Sequence, residues 1–189
     1  MTLNDLLLRP ETTSEDLGRH LGALSGEARV REATSVARGV ERRLWELSAQ
    51  TAAIRLDEIV ADDRAPLDPV PFEGWNNQPL YRAFKKVFYR ATDGRLCGYN
   101  ESDAAWFAGP GYYVLKRDDA GTYVDYTELP SDKPASWPEI QPNTRGMSRF
   151  VYGNMKDYLR RVHARVFIGR AYRHGRATHN YFVLARPED

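Results

Sequence analysis

Residues 111–127 read GYYVLKRDDAGTYVDYT, and they decide the fold. Gly111–Lys116 and Thr122–Thr127 are rich in aromatic and β-branched residues, and Asp118-Asp-Ala-Gly121 between them reverses the chain, so the stretch is an antiparallel hairpin. The same pattern extends upstream. Phe84, Lys86, Phe88 and Arg90 alternate with Lys85, Val87 and Tyr89, Thr92-Asp93-Gly94 turns, and Arg95–Tyr99 returns. Downstream, Leu129–Asn143 is a proline-rich connection that Trp137 anchors. Met147–Tyr152 is predicted as a strand. Asn154–Arg161 is predicted as one or two helical turns, because Met155, Tyr158, Leu159 and Val162 recur at helical spacing. Ala164–Tyr172 and Asn180–Arg186 form a last hairpin about Gly175.

The N-terminal third has a different period. Thr13-Ser-Glu-Asp16 is a helix start with acids in its first turn, leading to Leu17, Leu21 and Leu24, and Ser25-Gly26 ends that helix and caps the next. Val30, Ala33, Ala37, Val40, Leu44 and Leu47 form one apolar stripe, predicted as a single helix docked on the protein's own core or, less favoured, pairing between subunits. A shorter helix is expected at about 52–60. Three prolines (Pro66, Pro69 and Pro71) then interrupt the chain within six residues, which no helix interior tolerates. The expected organisation is a helical segment over 1–61, a proline-rich strap over 62–83 and an antiparallel domain over 84–189 with a short helix near 154–162. The fold class is α+β, with the helical segment packed on a curved sheet or small β-barrel.

Composition narrows the function classes. The net charge of +1 hides an asymmetry, since residues 141–189 carry ten bases and three acids. Between Arg145 and Arg176 nine Lys or Arg residues face one acid, Asp157, with Phe150, Tyr152, Tyr158, Phe167 and Tyr172 among them. Such a run fits an anionic partner or a basic face packed on an acidic segment. Cys97 is the sole cysteine, which excludes an internal disulfide and favours a reducing compartment. With no signal-like or membrane-length apolar stretch, the expected location is the cytoplasm and no membrane partner is expected. Phosphate-loop, dinucleotide-binding and metalloprotease motifs are absent. His174 and His179 flank a turn, so neither a metal nor a cofactor is expected.

Several short C-terminal motifs occur in a telling order: Arg149-Phe-Val-Tyr152, Asp157-Tyr-Leu-Arg-Arg-Val162, Ile168-Gly169, Tyr181-Phe-Val-Leu184 and Arg186. Together with Trp106-Phe-Ala-Gly109 and Tyr112, they resemble the closing half of the bacterial GXWXG-type family of small β-barrels of unknown function. The resemblance covers at best residues 95–186, and the naming motif itself is missing. It implies a calycin-like barrel with room for a small molecule, and no catalytic residues.

The candidate site follows from polar groups set among rings. Tyr99, Asn100, Trp106, Tyr113, Tyr126 and Tyr152 are expected to line an aromatic pocket, with Arg149 or Arg160 meeting a ligand's negative group. Asp125, an acid between two tyrosines, and His163, where a helical turn meets a strand, are the acid–base candidates. The expected function is binding of a small hydrophobic or aromatic molecule with an anionic group, extending to isomerisation, cyclisation or hydration without a metal if the protein is an enzyme, a point the sequence leaves open. The alternative is a nucleic-acid or acidic-protein binding module using the 145–176 surface. A monomer or homodimer fits either.

Overall fold

A computed structural model describes residues 1–79, 82–102 and 109–187. Eight antiparallel strands close into one barrel in sequence order: β1 Val70–Asn76, β2 Ala83–Arg90, β3 Leu96–Glu101, β4 Tyr113–Asp118, β5 Gly121–Asp125, β6 Met155–His163, β7 Val166–Arg173 and β8 Arg176–Ala185. Closure comes from β1, which pairs with β2 (Phe72 opposite Lys86) and with β8 (Trp75 opposite Val183). The stretch read as a strap over 62–83 therefore contains a barrel strand. Its prolines mark the entry to β1 rather than a linker throughout.

The largest departures lie around residues 147–163. A short helix, Ser148–Val151, occupies the predicted strand, and β6 occupies the predicted helical turns. Both periods fit residues 155–163. Pairing with β5 and β7 selects the alternating one, with Met155, Asp157 and Leu159 on the inner face and Tyr158, Arg160 and Val162 outside.

The N-terminal region forms four short helices: α1 Leu3–Leu8, α2 Ser14–Gly22, α3 Gly26–Ala33 and α4 Glu41–Leu47. The 148–151 helix is α5. Capping boxes start α1 (Thr2 with Asp5) and α2 (Thr13 with Asp16), and Ser25 caps α3. The Val30–Leu47 stripe is split. α3 ends at Thr34, and Gly39 takes φ 102°, a left-handed conformation that breaks the helix. Leu17, Leu21, Ala33, Leu44 and Trp45 share one apolar cluster with Val162, Ile168 and Val183 of the outer barrel wall. The helix expected near 52–60 is only a 3-10 turn, Leu56–Glu58, in a segment that plugs one barrel end. There Ile54, Ile59 and Val60 join Phe72, Phe88, Phe167 and Leu184 inside. Arg161, paired with Glu58, and Thr51, donating to the Arg161 carbonyl at 2.8 Å, hold the plug in place. The predicted Trp137 anchor sits over the outer wall, with ring centroids 4.3 Å from Tyr99 and 5.2 Å from Tyr89. No helix among the described residues is long and apolar enough to cross a membrane.

Candidate functional site

Toward the barrel end opposite the plug lies a cavity of about 540 Å³, lined among the described residues by side chains of several strands together with α5. Glycines opposite aromatics shape its walls. A side chain at Gly74 or Gly169 would overlap the rings of Phe84 and Phe182, so each ring lies flat over bare backbone and narrows the lumen. Phe150 and Val151 of α5, both exposed, make the rim apolar.

The deepest polar side chains of the cavity form one hydrogen-bonded group around Lys86. Lys86, 1 % exposed, points inward from β2 between Phe84 and Phe88. Its Nζ donates to Asn100 Oδ1 at 3.0 Å and to the Tyr126 hydroxyl, and lies 3.2 Å from Asp157 Oδ2. The rings of Tyr113, Tyr126 and Phe182 stand 5.0, 5.0 and 5.1 Å from the same nitrogen, close enough for each to favour the ammonium. Tyr126 also donates to Asp157 Oδ2 at 3.2 Å and accepts from Asn100 Nδ2 at 3.0 Å. Asp157 Oδ1 is buried and accepts no hydrogen bond among the described residues.

Burial dominates the electrostatics. It pushes the Lys86 ammonium below its ordinary pKa, opposed by the charge of Asp157 and its hydrogen bond. Burial also raises the Tyr126 phenol well above 10, with Asp157 adding to the effect, and takes Tyr152 to about 12. Lys86 and Asp157 therefore meet at salt-bridge distance beside phenols that stay neutral across the physiological range.

The expected residues are divided by this geometry. Asn100, Tyr126 and Tyr152 line the cavity, and Tyr152 stacks on Tyr126 at 5.1 Å. Tyr113 lies deeper in the same interior and donates to the Val87 carbonyl at 3.3 Å. Tyr99 instead faces outward, stacked on Tyr112. Asp125 is buried but also outward, between Lys116 and Lys156, and its Oδ1 accepts from Thr127. His163 ends β6 beside Gly22 of α2, away from the lumen. Arg149 is exposed on α5 against Phe150. Arg160 lies on the outer wall, 3.9 Å from the Trp45 ring centroid. Trp106 falls outside the described residues. The acid–base pair and both arginines expected in the pocket are therefore replaced there by Lys86 and Asp157. Sequence reasoning missed Lys86, whose only local signal is its place between Phe84 and Phe88 on one strand face.

Much of the basic run is committed locally. Arg161 donates to the Ala52 and Ala53 carbonyls, Arg165 to Pro187, Arg170 to Thr178, and Arg173 to Phe150 and Val151. Comparison of the chain with protein-family models, with curated proteins and with solved structures gave no match. A closed barrel is the fold that the C-terminal resemblance implied, but barrels are shared by many families and this one assigns none.

Proposed function

We propose that the protein binds a small hydrophobic or aromatic molecule in the barrel cavity, with the ligand's polar end directed at Lys86, Asp157, Asn100 and Tyr126. One observation carries this reading: a buried ion pair lines a cavity into which the rings of Phe84, Tyr126, Tyr152 and Phe182 also project. Such a pair stabilises a fold poorly against apolar residues of the same volume, so its presence there fits a role in recognition better than one in packing. The anionic head group expected from the sequence fits less well, because Asp157 already neutralises Lys86. A neutral head that both donates and accepts hydrogen bonds fits better, and Asp157 Oδ1 is an acceptor still available to it. The helical segment is read as a fixed outer layer that braces β6–β8. If the bound molecule is also converted, Lys86, Asp157 and Tyr126 are the groups that would exchange protons with it.

The test is calorimetric titration with 2-naphthol and its methyl ether, 2-methoxynaphthalene, in which a methyl group replaces the donor hydrogen. The wild-type protein is expected to prefer 2-naphthol by roughly tenfold, the worth of one hydrogen bond to a charged group. The Lys86→Met/Asp157→Leu double variant should bind both alike. Equal binding by the wild-type protein, or an unchanged preference in the variant, would contradict the reading.

A further inference from the structure

Arg160 lost its expected place in the barrel cavity, but its position on the outer wall has a logic of its own. β6 and β7 set Arg160 and Arg170 as diagonal neighbours, since Arg160 lies opposite Ile168 and Tyr158 opposite Arg170. Two like charges so placed on one sheet face repel. Burial lowers the pKa of Arg160 most, and Arg170 lowers it further, while Tyr172 and Tyr181 oppose them.

Among the described residues neither guanidinium is paired with a carboxylate. Each makes one hydrogen bond to a backbone carbonyl, Arg160 Nη1 to Trp45 at 2.7 Å and Arg170 Nε to Thr178 at 2.9 Å. Glu46, the acid that lines the same region, is held by Arg42 at 2.8 Å. With five N–H donors on each guanidinium, both arginines retain donors for an incoming acceptor.

The surroundings are concave and aromatic. Two adjoining depressions, of about 580 and 470 Å³, share Trp45 and Arg160; Tyr158 and Tyr172 line the first, and Arg170 and Tyr181 the second. One face of Arg160 is stacked on Trp45, and Arg170 lies 5.2 Å from the Tyr181 ring centroid. Two half-buried guanidiniums among rings, with the one nearby acid, Glu46, held by Arg42, make a receptor for a phosphate or carboxylate group.

We propose that this outer cleft is a second binding site, in which Arg160 and Arg170 hold the phosphate or carboxylate of a small aromatic molecule whose ring packs on Tyr172 and on the outer face of Arg160. The oxyanion offsets the repulsion between the two arginines, and the aromatic wall selects a ring over a bare inorganic ion. The cleft lies on the outer side of the wall, sharing only Tyr181 with the lining of the barrel cavity, and the proposal does not depend on what that cavity binds.

Titration with 2-naphthyl phosphate tests it. One saturable site is expected. Arg160→Gln and Arg170→Gln should each weaken it by roughly tenfold or more, as loss of a charge-assisted hydrogen bond does. Tyr172→Ala should weaken it several-fold. The Lys86→Met/Asp157→Leu variant should bind as the wild type does. Arg160 also holds the end of α4, so a measurement on the unaltered protein guards against a folding artefact: the Nε–Hε resonances of Arg160 and Arg170 should shift on addition of ligand. Absence of saturable binding, unshifted arginine resonances or equal binding by the arginine variants would overturn the proposal. So would loss of binding in the barrel double variant, inorganic phosphate binding as tightly as the aryl phosphate, or a thymidine oligonucleotide displacing the probe at lower concentration.

Discussion

Lys86 and Asp157 show what a buried charge demands of its neighbours. Each offsets the other's charge, and Asn100 and Tyr126 complete the shell of the ammonium. Removing one partner leaves the other charged and desolvated. Lys86→Met alone is therefore expected to lower stability by about 3–5 kcal/mol, while Lys86→Met/Asp157→Leu should recover most of that loss; urea unfolding of both variants measures the difference. The buried phenols predict an alkaline limit as well. Tyr152 has a folded-state pKa of about 12 against an ordinary 10.0. The folded form thus holds its proton where the unfolded form has released it. This contribution to stability is fully present below pH 10 and is lost as pH rises from about 10 toward 12. Tyr152→Phe should flatten that part of the stability profile. The site residues legible from sequence were those whose neighbours along the chain were informative. Asn100, Tyr126 and Tyr152 stood out as polar tips beside rings, whereas Lys86 meets Asp157 only after strands β2 and β6 face each other across the lumen.

At the scale of elements, residues 147–163 show where local pattern fails. Met155, Tyr158, Leu159 and Val162 satisfy a helical stripe, and Met155, Asp157 and Leu159 equally satisfy a strand face. Only hydrogen bonding to β5 and β7 distinguishes the two, and that lies outside any local window. The hairpins were legible because their turns name themselves. Asp93-Gly94 and the Gly175 turn place glycine at positive φ, 87° and 74°, where other residues are strained. β1 was hidden by its prolines, since Pro71 stands inside it. Glycine on the inner face has another task, which makes Gly169→Ala a sharp test. The added methyl meets the Phe182 ring, so the ring must turn into the lumen. A destabilisation of about 1–3 kcal/mol is expected, with weaker binding in the cavity; thermal unfolding and ligand titration measure the two effects separately.

Across the whole molecule, the barrel separates two environments that the sequence presents as one aromatic, basic run. Inward side chains of β6–β8 close the lumen, and outward ones carry the helices and the arginine cleft. The plug at 51–61 closes one end, and among the described residues Phe150 and Val151 form an apolar rim at the other. Alternation along each strand made the existence of two faces legible. Which face was inner depended on closure by β1 and β8, which no local segment encodes. Uptake of an apolar aromatic molecule by the cavity is best measured by fluorescence titration with N-phenyl-1-naphthylamine, comparing wild type with Ala171→Trp, which places a large ring in the lumen opposite Asp157. Saturable enhancement at one site per chain is expected in the wild type, and its loss in the correctly folded variant. Absence of enhancement in the wild type, or the same enhancement in both proteins, would contradict it.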